Sequence, residues 1–427
     1  MLFCTYPYFL FLAAVLVVVR LTERAGSVQK LLLLAASNVF YGYWDWRFLG
    51  LLWLTTVMDF SIALLVDHQT NVRTKKLVLA VSVVVNLGLL AFFKYFDFFQ
   101  DSAARVLTEF GVPYEPWLLH VTLPVGISFY VFQSMSYVID VYRGDMKPTR
   151  SLVDFAQFVM YFPQLVAGPI ERAPHLMPQL VGVRRVRLPG VLSGLLLILV
   201  GCVKKALVAD ALGAYVVDDV FASPQGALHL WLGTIAFGFQ IYLDFSGYCD
   251  VARGSSRCLG VELVENFEAP YFAANITEFW RRWHISLSTW FRDYLYIPLG
   301  GSRRGASRTY LNLVVVFFLC GLWHGASFNF VAWGLYHGLF LVLDERDGGH
   351  LRADGCRFAG RRPRHRRGRP HRSPVPGCGP WLGRLVPPEG HPIARPPCRR
   401  TRRTPAAPAG GDAGQPGPAS NGGREGP

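Results

Sequence analysis

The sequence predicts an all-α fold: a polytopic transmembrane helical bundle that includes re-entrant and interfacial amphipathic helices. Three observations lead there. The 427 residues are 52% hydrophobic and 14% aromatic, more apolar than a soluble domain of this length needs to be. Apolar runs approaching the ~20 residues that cross a bilayer recur along the chain. Basic residues then cluster in alternate connections, as the positive-inside rule expects.

Candidate spans are 2–19, 31–44, 48–66, 77–96, 117–142, 188–203, 230–245, 310–323 and 326–343. Several are short, which implies tilted, paired or re-entrant helices. The N-terminus lacks the charged n-region and small-residue cleavage site of a signal peptide, so it reads as a retained first helix. Arg20, Arg24 and Lys30, then Arg73, Lys75 and Lys76, then Arg143, Lys147 and Arg150 mark one side. The connections around Asp45 and from Asp97 to Glu115 are acidic or mixed, which places the N-terminus outside. The segment 152–180 is interrupted by Pro163, Pro169 and Pro174 and suits a re-entrant or surface element.

The stretch NITEFWRRWHISLSTWFRDYLYIPLGGSRRG is different in kind. Trp280, Trp283, His284, Leu287, Phe291 and Tyr294 recur at helical spacing, with Arg282, Ser286, Thr289 and Asp293 opposite. One amphipathic helix lying in the membrane interface is expected, opened by Asn275 with Glu278 three residues on.

Residues 344–427 change character. They hold 17 Arg, no Lys and 7 acidic residues, a net charge of +10 against +4 for residues 1–343. The expected division is a membrane domain over 1–343 and a disordered Arg/Pro/Gly-rich tail over 344–427. The tail's bias matches an out-of-frame reading of a GC-rich gene, with a genuine basic tail as the competing reading and a nucleic-acid arm ranked below both. The body is almost neutral, so no nucleic-acid partner is expected; membrane lipid is. The eight cysteines contain no CxxC pair, so neither a metal site nor a disulfide framework is indicated.

An ionisable group in an apolar span costs several kcal/mol and is a functional hypothesis by default. His324, in GLWHGAS between two apolar helices, has Gly321 and Gly325 beside it to allow a tight turn and close backbone approach. His284 shares the aromatic face of the interfacial helix. A histidine that titrates near neutrality can take the proton of a hydroxyl as it attacks a thioester carbonyl. Trp280, Trp283 and Trp323 are expected to wall the site, and Arg281, Arg282, Arg303 and Arg304 to attract donor phosphates or lipid headgroups. His337 reads as packing; His68, His120, His175 and His229 read as solvated. Gln240, Asp244, Ser246 and Asp250, with Ser128, Gln133, Ser136 and Asp140, divide between a polar lining and helix–helix glue. A transporter is the rival class; it would need mid-span carboxylates, for which Asp59 and Asp140 are the candidates.

The motifs DFSGYCD, ENFEAPYFAANITEFWRRWHISLSTWFRDYLYIPLGGSR, YLNLVVVFFLCGLWHGASFNFVAWGLYHG, LPVGISFYVFQ and YFPQLVAGPIER together resemble the membrane-bound O-acyltransferase family, in its alginate-acetylating bacterial branch. The resemblance runs to about Leu343. It implies a multi-pass inner-membrane O-acetyltransferase that moves acetyl groups, from acetyl-CoA as the expected donor, toward an exported polysaccharide such as alginate, with periplasmic acetyltransferase partners. D-alanyl transfer to teichoic acid is the alternative within that class. The family's catalytic histidine falls on His324 and its second motif histidine on His284. Arg253 and Arg257 stand where relatives are more apolar, and relatives continue with further spans where this chain has the tail.

Overall fold

A computed structural model describes residues 3–112, 114–118, 122–182 and 185–346. The expected tail, apart from its first residues, and His120 lie outside the described residues. Among those described, regular structure is helical throughout. In chain order the helices are α1 (Tyr6–Leu21), α2 (Gly26–Asp45), α3 (Arg47–His68), α4 (Val72–Glu109), α5 (Ile127–Arg143), α6 (Leu152–Met160), α7 (Phe162–Leu165) and α8 (Ala173–Val181). They continue with α9 (Leu188–Ala222), α10 (Ala227–Cys258), α11 (Ile276–Arg282), α12 (Ile285–Phe291), α13 (Ala306–His324) and α14 (Phe328–Arg346). Each of the nine apolar runs overlaps a helix. Four of these helices, α3, α4, α9 and α13, are long and apolar enough to cross a membrane.

Two boundaries differ from expectation. α4 runs 38 residues to Glu109, through the segment expected to be a loop. No Gly or Pro lies between Gly88 and Gly111 to end it, and at ~1.5 Å per residue it extends about 57 Å, beyond the apolar thickness of a bilayer. α5 starts at Ile127, ten residues later than the hydropathy suggested, because Pro124 and a left-handed Gly126 (φ 77°) hold the preceding backbone out of helix.

The proline-interrupted segment is interior, not surface. Phe155, Phe158, Val159, Met160 and Phe162 of α6 and α7 are fully buried. A broken helix leaves carbonyls and amides without intrahelical partners, and in an apolar interior each must be satisfied by protein. Side-chain amides do this here. Gln133 and Gln164 both donate to the Phe158 carbonyl, at 2.6 and 2.7 Å. Gln157 donates to the Lys30 carbonyl, and Ser37 Oγ accepts from the Phe162 N–H. Gln133 is therefore glue between helices, whereas Ser136 donates to the Gln133 carbonyl of its own helix.

α9 and α10 pack backbone against backbone. Gly194 and Gly201 on α9 face Gly254 and Gly247 on α10. A Cβ on Gly201 would lie 2.6 Å from the Gly247 carbonyl oxygen, and one on Gly254 2.6 Å from the Gly194 oxygen. Small residues let two backbones touch where lipid offers no hydrophobic drive for association. A polar seam continues the pair beside π-helical turns at Val203–Ala209 and Gly213–Val217 of α9. Lys204 pairs with Asp250 at 2.6 Å, and Lys205 bridges Asp210 and Asp244. Arg253 and Arg257 are answered by Glu265 at 2.7 Å and Glu262 at 2.9 Å, respectively.

Replacing Gly201 by Leu is expected to separate α9 from α10, costing at least the 1–3 kcal/mol typical of overpacking. The thermal midpoint of the detergent-extracted protein should fall by several degrees. Gly50→Ala, at a helical glycine with no atom near its missing Cβ, should leave the midpoint unchanged or slightly higher.

Candidate active site

The expected single interfacial helix is two short helices joined by a kink. α11 opens as the sequence suggests, with Asn275 Oδ1 accepting the Glu278 N–H at 2.8 Å and Glu278 accepting the Ala274 N–H. It ends at Arg282. Trp283 is extended, and His284 takes a left-handed conformation (φ 42°, ψ 54°) before α12 begins. A non-glycine residue there is strained and persists only where its surroundings over-determine it.

Asn266 supplies that constraint. This residue, 1% exposed in the extended stretch after α10, accepts the Ile285 N–H on its backbone carbonyl at 2.9 Å. Its side-chain Oδ1 accepts the Ser286 N–H at 3.0 Å, the Ser286 hydroxyl at 2.9 Å and His284 Nδ1–H at 3.1 Å. A backbone N–H can only donate, so the atom it meets is the amide oxygen, and the His284 nitrogen facing that oxygen carries the hydrogen. The basic lone pair of His284 is thereby on Nε2, which is buried with no hydrogen-bond partner. Ser286, expected on a polar face, is buried and also accepts the Ile170 N–H at 2.9 Å. Fully buried Glu171 next to it accepts the Val264 N–H at 2.6 Å. The motifs YFPQLVAGPIER, ENFEAP and WRRWHISLS thus converge on one polar knot.

The imidazole of His284 is walled by aromatic rings. Phe245 meets it edge-on at 4.7 Å, with Trp323 at 6.0 Å and Phe129 and Phe267 each at 6.4 Å between centroids. Trp323 also touches His324, at 5.0 Å. Its indole is the common neighbour of both sequence-predicted histidines. Its Nε1 is buried and unpaired.

His324 is the last residue of α13. Gly325 follows in an extended conformation any residue could adopt (φ −173°), so it is not the turn glycine that was expected. Gly321 serves the close backbone approach that was expected: a Cβ there would strike the Phe330 carbonyl oxygen of α14 at 2.2 Å. The terminal carbonyls of α13 are capped from α4. Tyr95 donates its hydroxyl to the Leu322 carbonyl and Lys94 its ammonium to the Trp323 carbonyl. Lys94 also lies 5.5 Å over the Trp323 ring. A cation at a helix C-terminus is favoured by the helix dipole, and here it fixes the residue before His324.

Beyond His324 the aromatic contacts continue. Trp333 lies 4.9 Å from His324 and 4.8 Å from His337, and Trp280 lies 5.2 Å from His337. His337 is therefore joined to the same row. Trp280 also borders a cavity of about 530 Å³ between α11, α12, α13 and α14, with Arg281, Arg292, Phe317 and Cys320 among its walls. Trp283 points elsewhere, packing on Phe267 and Phe279. Arg282 pairs with Glu278, and Arg303 and Arg304 are exposed. The structure thus brings His284, His324 and Trp323 together, sets Trp280 and Arg281 at the neighbouring cavity, and holds Trp283 and Arg282 apart. No cluster of three metal-ligating side chains occurs among the described residues.

Sequence reasoning missed Asn266, Lys94, Tyr95 and Trp333. Lys94 had a signal, a lone cation inside the apolar run AFFKYF. Asn266 had none, because its partners are 18 and 20 residues away. The two mid-span carboxylates are answered within the protein. Asp59 accepts from Ser82 at 2.7 Å and from Asn86 at 2.9 Å, and Asp140 accepts from the Tyr294 hydroxyl at 2.8 Å. Neither offers the vacant mid-span carboxylate a proton-coupled carrier needs.

Residues 31–346 match the sequence profile of the membrane-bound O-acyltransferase family. The chain is 47% identical over 320 residues to the probable alginate O-acetylase AlgI of Pseudomonas putida, a match covering 74% of this chain and 65% of that protein. It is 38% identical over 345 residues to the peptidoglycan O-acetyltransferase of Helicobacter pylori, covering 74% of this chain and 64% of the relative. Similarity extends at 28% identity over 233 residues to the teichoic acid D-alanyltransferase of Bacillus subtilis, covering 51% and 58%. The chain thus spans less than two thirds of the length of the relatives it matches. With the motif knot around Asn266 and a profile match over most of the described helices, this protein belongs to the membrane-bound O-acyltransferase family.

Proposed function

We propose that this protein is an O-acetyltransferase that passes acetyl groups from acetyl-CoA on the cytoplasmic side to a hydroxyl of an exported polysaccharide, alginate being the substrate favoured by sequence closeness. The observation that carries the reading is the pair His284 and His324 on either side of Trp323, with the lone pair of His284 fixed on a buried, unpaired Nε2. A buried acceptor without a partner beside His324 suits the positioning of a hydroxyl that His324 deprotonates.

In the reaction, His324 accepts the proton of the acceptor hydroxyl as its oxygen attacks the thioester carbonyl. The carbon–sulfur bond breaks, the acetyl group stays on the acceptor oxygen, and the thiolate leaves and is reprotonated. His284 positions the reacting oxygen or relays the proton. Trp323, Phe129 and Phe245 exclude water, which would otherwise hydrolyse the thioester. Arg281 at the neighbouring cavity suits the donor's phosphates. The N-terminus faces the periplasm in this scheme, and soluble periplasmic acetyltransferases complete the transfer.

The test is complementation of a strain lacking its polysaccharide O-acetylation membrane protein, with acetyl ester on the secreted polymer as readout. His324→Ala and His284→Ala are each expected to lower it at least a hundredfold at equal membrane abundance, while His337→Phe retains most of it. Full acetylation by a well-expressed His324→Ala protein would remove the catalytic assignment. Incorporation of label from acetyl-CoA, but not from a D-alanyl carrier, separates the two acyl classes.

Two positioning residues give a finer test. Asn266→Ala frees the His284 ring and is expected to cut kcat ten- to a hundredfold with little change in KM. Lys94→Met should do the same through His324, and Lys94→Arg, which keeps a cation at the helix end, should recover part of the loss.

A further inference from the structure

Five cysteines lie among the described residues: Cys4, Cys202, Cys249, Cys258 and Cys320. Three are accounted for locally. Cys249 accepts from Asn266 Nδ2 and donates to the Ala167 carbonyl, Cys258 donates to the Val191 carbonyl, and Cys320 is buried in α13. The other two face each other: the sulfurs of Cys4 and Cys202 are 3.1 Å apart, although 198 residues separate them in sequence.

We propose that Cys4 and Cys202 form a disulfide that fastens the N-terminal segment to α9. Two independent features favour it. Cys4 precedes α1 in a left-handed conformation (φ 57°), which a cysteine adopts only when its surroundings impose it. Phe3 imposes it, because its ring packs between Tyr8, Phe40 and Tyr248 at 4.9 to 6.0 Å. The buried neighbour thus anchors the backbone and aims the thiol at Cys202. On the other side, Cys202 is the last residue before the π-helical turn at Val203–Ala209, beside the Lys205 seam. Both thiols are half-buried, so a small disulfide reagent can reach them. Closure needs an approach of only ~1 Å, to the ~2.05 Å of a disulfide.

The chemistry is thiol–disulfide exchange with an oxidant of the disulfide class. One cysteine thiolate attacks a sulfur of glutathione disulfide, giving a mixed disulfide and one glutathione thiolate. The second cysteine thiolate attacks the mixed disulfide, closing the protein disulfide and expelling a second glutathione. The two cysteine protons end on the two glutathiones, and the two electrons leave with them. Burial, then the adjacent Cys202 sulfur, push the Cys4 thiol up to about 12. Exchange is therefore slow at neutral pH and faster at about pH 8.5, since the thiolate is the nucleophile.

The experiment treats membranes containing the full chain with glutathione disulfide at that pH, quenches with a thiol-blocking maleimide, and maps peptides by mass spectrometry without reduction. A crosslinked pair of peptides carrying Cys4 and Cys202, lighter than the sum of the two by two hydrogens and released by reductant, is expected. Cys4→Ser should abolish the crosslink and leave Cys202 as a glutathione mixed disulfide, and Cys202→Ser should do the converse. These single changes sit outside the acyl-transfer residues, so acetylation by Cys4→Ser should match the parent in reducing medium. Maleimide on both Cys4 and Cys202 after oxidation, stable glutathione adducts on both, or a crosslink to Cys249, Cys258 or Cys320 would each overturn the proposal.

Discussion

An apolar body offers no hydrogen-bond partners to a broken helix, and this constraint organises the protein. Every interruption in its helices has to be paired by protein groups. Gln133 and Gln164 converge on one carbonyl below the α6–α7 break, Lys94 and Tyr95 close the end of α13, and Asn266 holds the kink between α11 and α12. In each case a polar side chain from a distant segment reaches the break. At the break between α11 and α12 the backbone leaves the rod and presents His284 out of helical register.

Asn266 shows how one side chain does several tasks. By accepting from Ser286 it fixes its own orientation, and by accepting from His284 it decides which imidazole nitrogen is basic. Phe129, Phe245, Phe267 and Trp323 surround that imidazole with apolar rings.

Trp323 links this knot to the membrane helices. It precedes His324, contacts His284, lies under Lys94 and takes part in the aromatic row that runs through Trp333 to His337 and Trp280. A movement of α4 relative to α13 would act on both histidines together, since Lys94 and Tyr95 grip the two carbonyls before His324. Site geometry and helix packing are therefore the same problem in this molecule.

The sequence by itself determined the helical class, the nine apolar elements, the capped start of α11 and the motif histidines. These are legible because hydropathy, capping residues and lone ionisable groups act over a few residues. Tertiary structure alone decided that the amphipathic stretch breaks at His284, that the proline-rich segment is interior, and that the backbone Gly321 approaches is that of α14. It also decided which nitrogen of His284 is basic. The physical reason is common to all of these: each outcome depends on a partner from another segment of the chain, such as Asn266 for the kink or the α14 backbone for Gly321, and local pattern carries no record of which distant group will arrive.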